Sequence, residues 1–220
     1  MKHVPLLATL GALACSSAAS PPDSGMDASV DAGADASTDA GTDASVDSGV
    51  DSGVDSGVDS GVAERRIFVT NTVQSANFGG TNGADALCAS QATAAGLQGE
   101  FKAWLSTISS PVSDRLQQST VPYVLIDRTV IANDWSDLID GSILALINLD
   151  ADGQLRSGDV WTGTLADGSP YTGGDCAGFT SGSDSDGIAL CGSTASTTAG
   201  WTASATPACS LALRLYCVEQ

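Results

Sequence analysis

Apolar residues fall along the 220-residue chain in three regimes, and each predicts a different kind of structure. The first is a short unbroken run: Met1-Lys2-His3 is followed by 4–14, with Leu6, Leu7, Leu10 and Leu13, and the run ends Ala12-Leu13-Ala14-Cys15. About ten apolar residues are too few to span a bilayer, and behind a charged start they read as a secretory signal. The second regime, 23–62, repeats every four residues, with Asp from Asp23 to Asp59 and four closing copies of Asp-Ser-Gly-Val. Like charges four apart repel on a helix, and Gly and Ser are poor helix formers. The sparse apolar content cannot offset the entropy of ordering, so this stretch reads as a disordered spacer with a span of roughly 35 Å before self-repulsion extends it.

The third regime starts at 63. Arg66-Ile67-Phe68-Val69-Thr70 reads as a strand. Ala84, Leu87, Cys88, Ala92 and Ala95 then share one helical face, with Asn82 as the expected N-cap and Gly96 as the stop. Helical periodicity fades after that. Apolar runs at 101–105, 122–126, 129–131, 144–149, 160–162 and 211–218, separated by Gly-, Ser-, Asp- and Thr-rich segments, read as strands. The stretch between Ala166 and Pro207 is nearly all small and polar, the kind of irregular region that a small core cannot order without covalent help. The third regime, 63–220, suffices for one core, so a single domain is expected.

Charge and cysteine content sharpen this picture. The formal net charge is −18. Ten of the acids are the spacer's Asp residues, and the remaining mature chain has sixteen acids against seven bases, a surface that repels phosphate backbones and argues against a nucleic-acid partner. Beyond Cys15, the cysteines are Cys88, Cys176, Cys191, Cys209 and Cys217, none spaced as CxxC, and the only histidine is His3. Disulfides in an oxidising compartment are the expected use, with one thiol left over. Ala12-Leu13-Ala14-Cys15 is similar to a lipobox, which makes 1–14 a lipoprotein signal and Cys15 the acylated first residue of a lipid-anchored spacer, 15–62. Cleavage after Ala19 by an ordinary signal route is the competing reading. Ser16 after the cysteine points to the outer membrane, where the bilayer is one partner and the cell surface the expected location. Acylation would be its only attachment to the membrane.

Taken together, Arg66-Ile67-Phe68-Val69-Thr70, Gly83-Ala84-Asp85-Ala86-Leu87-Cys88, Phe101-Lys102-Ala103-Trp104-Leu105-Ser106, Ser113-Asp114-Arg115-Leu116, Trp161-Thr162-Gly163-Thr164 and Arg214-Leu215-Tyr216-Cys217 resemble a family of bacterial extracellular domains of unknown function. That family is found on surface lipoproteins and is similar to endostatin and to the C-type-lectin-like fold. The resemblance covers essentially all of 64–220. It implies an α+β domain whose chain ends pair and whose long loop region lies on top. It also implies a nested pair of disulfides, Cys88–Cys217 and Cys176–Cys209, which leaves Cys191 over; Cys191–Cys209 is the alternative inner bond. Phe179 stands where the family tends to place a Trp.

Candidate chemistry is sparse. Asn148, Asp150, Asp152 and Asp159 occupy positions 1, 3, 5 and 12 of a calcium-type loop with Gly153 at position 6, but Arg156 stands at position 9 and flanking helices are missing. A turn is the preferred reading, which leaves calcium as a weak candidate and no other cofactor. The sugar-binding tripeptides of C-type lectins are missing, and Asn133-Asp134-Trp135 has their composition in another order. A mature chain without histidine lacks the usual nucleophile–base pairs. Asp114, Asp134, Asp137 and Asp140 are the carboxylates a glycosidase could draw on, although spacing selects no pair, and Asp114-Arg115 reads as an ion pair or turn. Trp104, Trp135, Trp161 and Trp201 read as core rather than as a binding platform. The leading expectation is a non-enzymatic binding or adhesion module for an extracellular protein or glycan, contacted through the loops between Ala166 and Pro207. A structural envelope lipoprotein without a specific external ligand is the alternative, and an acidic-dyad glycan hydrolase the third reading.

Overall fold

A computed structural model describes residues 63–220. The signal segment, Cys15 and the Asp-rich spacer lie outside the described residues. The elements are strand β1 (Arg65–Val69), helix α1 (Thr81–Ala94), β2 (Phe101–Ala103), α2 (Val112–Arg115), β3 (Tyr123–Val124), β4 (Val130–Ala132), α3 (Trp135–Leu138), β5 (Asp159–Trp161), β6 (Cys191–Ser193) and β7 (Arg214–Glu219). One mixed sheet runs β4-β3-β1-β7-β5-β6, with β2 also paired to β7. The first and last strands are antiparallel neighbours at its centre, Phe68 opposite Cys217. The domain is therefore α+β.

Both faces of this sheet are covered, which explains why its central strands are apolar throughout instead of alternating. Ile67, Val69, Val160, Tyr216 and Val218 face one layer with Trp104, Trp135, Trp201 and Leu138. Phe68, Trp161, Leu215 and Cys217 face the other, against Ala84, Cys88 and Ala92 of α1. Trp104 is the hub of the first layer, with ring centroids 5.6 Å from Trp135 and 5.0 Å from Trp201. All four tryptophans are buried.

Helix α1 differs at its start from the sequence expectation. Asn82 lies inside the first turn, and the N-cap is Gly80, which makes no side-chain capping bond. Its amide instead donates to the Phe179 carbonyl at 2.9 Å, so a loop more than ninety positions away closes the helix end. The far end behaves as expected. Gly96 has φ +73°, and Leu97 N–H reaches back to Ala92 O at 2.9 Å, a Schellman stop. Two other expectations need correction. The run at 144–149 is not a strand: Ile143 and Ile147 point into the core, while Leu144 N–H donates to Ile131 O at 2.8 Å and Leu149 forms only an isolated bridge with Leu155. Conversely, Cys191-Gly192-Ser193, whose composition suggests loop, is strand β6.

Cys88 is bonded to Cys217 and Cys176 to Cys209, while Cys191 is a buried free thiol. The alternative Cys191–Cys209 bond is not formed. Two disulfides are the signature of an extracellular or periplasmic compartment. Among the described residues, no helix is long and apolar enough to cross a membrane.

Candidate functional site

The chain enters the domain at one pole. There Arg65 N–H donates to Pro122 O at 2.8 Å, and Arg66 grips Glu219 through Nε and Nη2 at 2.7 and 2.6 Å. Strand β1 carries the chain about 15 Å away from that point. At its far end Val69 N–H donates to Leu149 O and Arg214 Nη1 donates to Thr70 O. The segments gathered there and beyond β5 and β6 form the loop-rich half of the molecule.

What orders this half is a chain of buried hydroxyls, with less help from apolar bulk than in the sheet layers. Ser106, Thr162, Thr164 and Thr202 are all fully buried. Thr162 Oγ1 donates to Thr202 O at 2.6 Å, and Thr202 Oγ1 donates to Thr164 O at 3.0 Å while accepting from Trp104 Nε1 at 2.9 Å. Thr164 Oγ1 lies 2.8 Å from Ser106 Oγ, which in turn accepts from Val112 N–H at 2.9 Å. Polar groups withdrawn from water must find partners, and here they find each other, joining 162–164 and 202 to the segment after β2. Sequence reading missed this network, because Ser and Thr runs carry no burial signal of their own. Phe179, Cys191 and Trp201 are also buried, so the stretch between Ala166 and Pro207 contributes to the core as well as to the surface.

One segment there has unusual backbone. Cys176, Ala177, Gly178 and Phe179 all have positive φ, between +52° and +68°, making a single left-handed turn. Each non-Gly residue in that region costs about 1–2 kcal/mol. Asp175 holds it, accepting from Gly178 N–H at 2.9 Å and Ile108 N–H at 3.1 Å, and the bond from Cys176 to Cys209 fixes its first residue.

The calcium candidates are not brought together. Asp150 is buried, and its carboxylate accepts from Asp152 N–H at 3.0 Å, Gln154 N–H at 2.9 Å and Arg156 Nε at 2.6 Å. Burial pushes the Asp150 carboxyl up, but these donors outweigh it and hold the group below its ordinary range. Asn148 is half-buried, whereas Asp152 and Asp159 are exposed, and among the described residues no group of three or more acids, cysteines or histidines could hold a metal ion. The segment is a tight turn closed by the residue at position 9, the one that spoiled the motif. Replacing Asp150 with Ala removes the acceptor of three donors and should cost about 2–3 kcal/mol at neutral pH in a denaturant titration. Because the folded carboxyl is held below its unfolded value, this contribution is complete above the unfolded pKa. It disappears as pH falls through the folded one, so wild type and variant should converge in acid.

The glycosidase candidates are also spoken for. Asp134 caps α3 by accepting from Asp137 N–H, Asp137 accepts from Asn133 N–H and Nδ2, and Asp140 accepts from Ser142 N–H. Asp114 is exposed on α2, and its neighbour Arg115 pairs instead with Asp85 of α1 at 2.6 Å. Cys191 is buried, and burial followed by the nearby Asp159 charge pushes its thiol up to about 11. A thiol so placed is not a nucleophile at neutral pH. Ellman's reagent at pH 8 should find no reactive thiol in the folded domain and one after denaturation.

The surface of the loop half holds a groove of about 370 Å³. Leu146, Leu155 and Ala195 are its apolar lining, and Asn148, Arg156, Ser157 and Thr194 its polar lining. Leu155 is 74% exposed, the highest value among the large apolar side chains of the described residues. A second cavity, of about 410 Å³, sits beside the chain's point of arrival, where Arg66 pairs with Glu219 and Arg128 lies 3.6 Å from Glu64. No family model and no curated protein matches the chain.

Proposed function

We propose that the protein is an exported lipoprotein, anchored at Cys15 to the outer membrane and shown at the cell surface on its Asp-rich spacer. Its C-type-lectin-like, endostatin-like head acts as a non-catalytic binding module for an extracellular protein or glycan. The observation that carries this reading is the division of the head into two poles. The chain arrives beside Gln220 at one end of β1, and the stapled loop half, with its groove and exposed leucines, lies beyond the other. A tethered head oriented this way turns its loops away from the attachment point. The local engagement of Asp134, Asp137 and Asp140 in caps and turns favours binding over catalysis. The test is accessibility in intact cells. An epitope placed on the Asp152-Gly153 turn should be labelled by antibody without permeabilisation. Labelling only after the outer membrane is disrupted would place the head in the periplasm and overturn external recognition.

A further inference from the structure

The order of the head's cysteines and the order of their bonds disagree. Cys88 skips Cys176, Cys191 and Cys209 to reach Cys217, and Cys176 skips Cys191 to reach Cys209. Loop closure in an unfolded chain favours other choices. Cys209 and Cys217 stand eight positions apart, Cys176 and Cys191 fifteen, and Cys191 and Cys209 eighteen, against 129 and 33 for the native bonds. Closure falls as the three-halves power of loop length. Cys176 therefore meets Cys191 about threefold more often than it meets Cys209, and Cys217 meets Cys209 on the order of 60-fold more often than it meets Cys88.

Apolar collapse does not correct this bias. All five thiols are buried in the same layer of the core, with Phe68, Trp161 and Leu215, so gathering that layer concentrates them without choosing among them. The finished fold makes the choice, and the elements that make it depend on the rest. Cys176 sits in the left-handed turn, a disfavoured backbone that the Asp175 carboxylate holds. Cys217 sits on the last strand, β7, which has its place only when β1, β2 and β5 pair with it. On the export reading the N-terminal end crosses first, so the other four thiols reach the oxidising compartment before Cys217 does.

From this connectivity we propose that the head acquires its native bonds by disulfide exchange, and that a thiol–disulfide isomerase of the export compartment is its processing partner. The proposal rests on the export reading and on no particular ligand. Each first bond forms when two thiols lose two protons and two electrons, and the electrons pass to a disulfide-donating oxidase of the compartment. The exchange that follows is redox-neutral. In a chain bonded Cys191–Cys209, the Cys176 thiolate attacks Cys209 Sγ, the Cys176–Cys209 bond forms, and Cys191 leaves as a thiolate that takes up a proton. The isomerase performs the same exchange through its own thiolate, which opens a non-native bond as a mixed disulfide and is displaced by a thiolate of the head. Folding then closes the route. Cys191 ends buried, its thiol pushed up to about 11 by burial and then by the Asp159 charge, so it no longer exchanges at neutral pH.

The experiment is oxidative refolding of the full chain with Cys15→Ser, so that only the five head thiols react. Reduced, denatured protein is diluted into oxidised glutathione, samples are quenched with N-ethylmaleimide at intervals, and their bonds are mapped on unreduced peptides. Early species should be dominated by Cys209–Cys217, Cys176–Cys191 and Cys191–Cys209. Catalytic amounts of protein disulfide isomerase should raise the rate at which Cys88–Cys217 and Cys176–Cys209 accumulate by more than about threefold. The same isomerase with its active-site cysteines replaced by serine should not. Native bonds in the majority from the first time point overturn the proposal. So does a rise smaller than about threefold, or an equal rise with the inactive isomerase. None of these outcomes depends on acylation of Cys15 or on which side of the outer membrane the head faces. Failure here therefore leaves the surface-display reading standing, and a head found in the periplasm leaves this proposal standing.

Discussion

Replacing Cys88 and Cys217 together by serine should cost the head about 4–5 kcal/mol, the chain-entropy value for a loop of this length. The bond spans 129 positions, against 33 for Cys176–Cys209, whose loss should cost about 3–4 kcal/mol. Whole domains are stable by only about 5–15 kcal/mol, so the first loss alone brings the head close to unfolding. Topology concentrates the effect at one strand. β7 is the strand on which β1, β2 and β5 all pair, and it comes last in the chain. Without the bond to α1, that strand must find its place across nearly the whole domain. Loop closure of that size slows assembly and leaves the edges of β1 and β5 exposed meanwhile. The measurement is the urea midpoint of the wild-type protein and of each double variant. A Cys88/Cys217 variant within about 1 kcal/mol of wild type would mean that the unfolded chain is already held compact by something other than this bond.

The strand and helix framework was legible because it is built from residues whose burial shows in their type. Ile67-Phe68-Val69 and Leu215-Tyr216-Cys217-Val218 are apolar on both faces, and the spacing of Ala84, Cys88 and Ala92 admits one helical face. The loop half was not legible for the opposite reason. Its interior is held by hydroxyls, by one left-handed turn and by carbonyls such as Phe179 O, which accepts from both Phe78 and Gly80 N–H. Threonines in that role have the same composition as threonines in solvent. Strand β6 was hidden because Gly192 admits no side chain: a Cβ there would sit 1.9 Å from Trp201 O. The calcium-type loop failed for a reason visible in the sequence, since Arg156 at position 9 is the group that satisfies Asp150. The groove itself had no signal. Leu146 lies in the run at 144–149 and Leu155 in none, and the Leu149–Leu155 bridge with the Arg156 N–H bond to Asn148 O brings their segments together.

The same hydroxyl-bonded core makes Gly163 a sensitive glycine, one that combines a positive φ with a close backbone contact. It follows Thr162, has φ +56°, and a Cβ added to it would lie 2.1 Å from the Ser106 carbonyl oxygen and 3.1 Å from the Phe179 ring. Gly163→Ala therefore combines left-handed strain of about 1–2 kcal/mol with an overpacking cost of about 1–3 kcal/mol, for about 3–5 kcal/mol in all. The cost falls on the contact that joins the loop half to the sheet. Ser106 N–H donates to Thr162 O at 2.8 Å, and Ser106 Oγ anchors both Val112 N–H and Thr164. Gly153→Ala is the matched control, because Gly153 has φ +75° but no atom within 4 Å of the added carbon. It should lose only the strain component. If the two variants melt together, Ser106 moves aside at no cost, and the loop half is coupled to the sheet more loosely than its hydrogen bonds imply. If Gly163→Ala is the worse by 2 kcal/mol or more, the loop half and the sheet unfold as one unit.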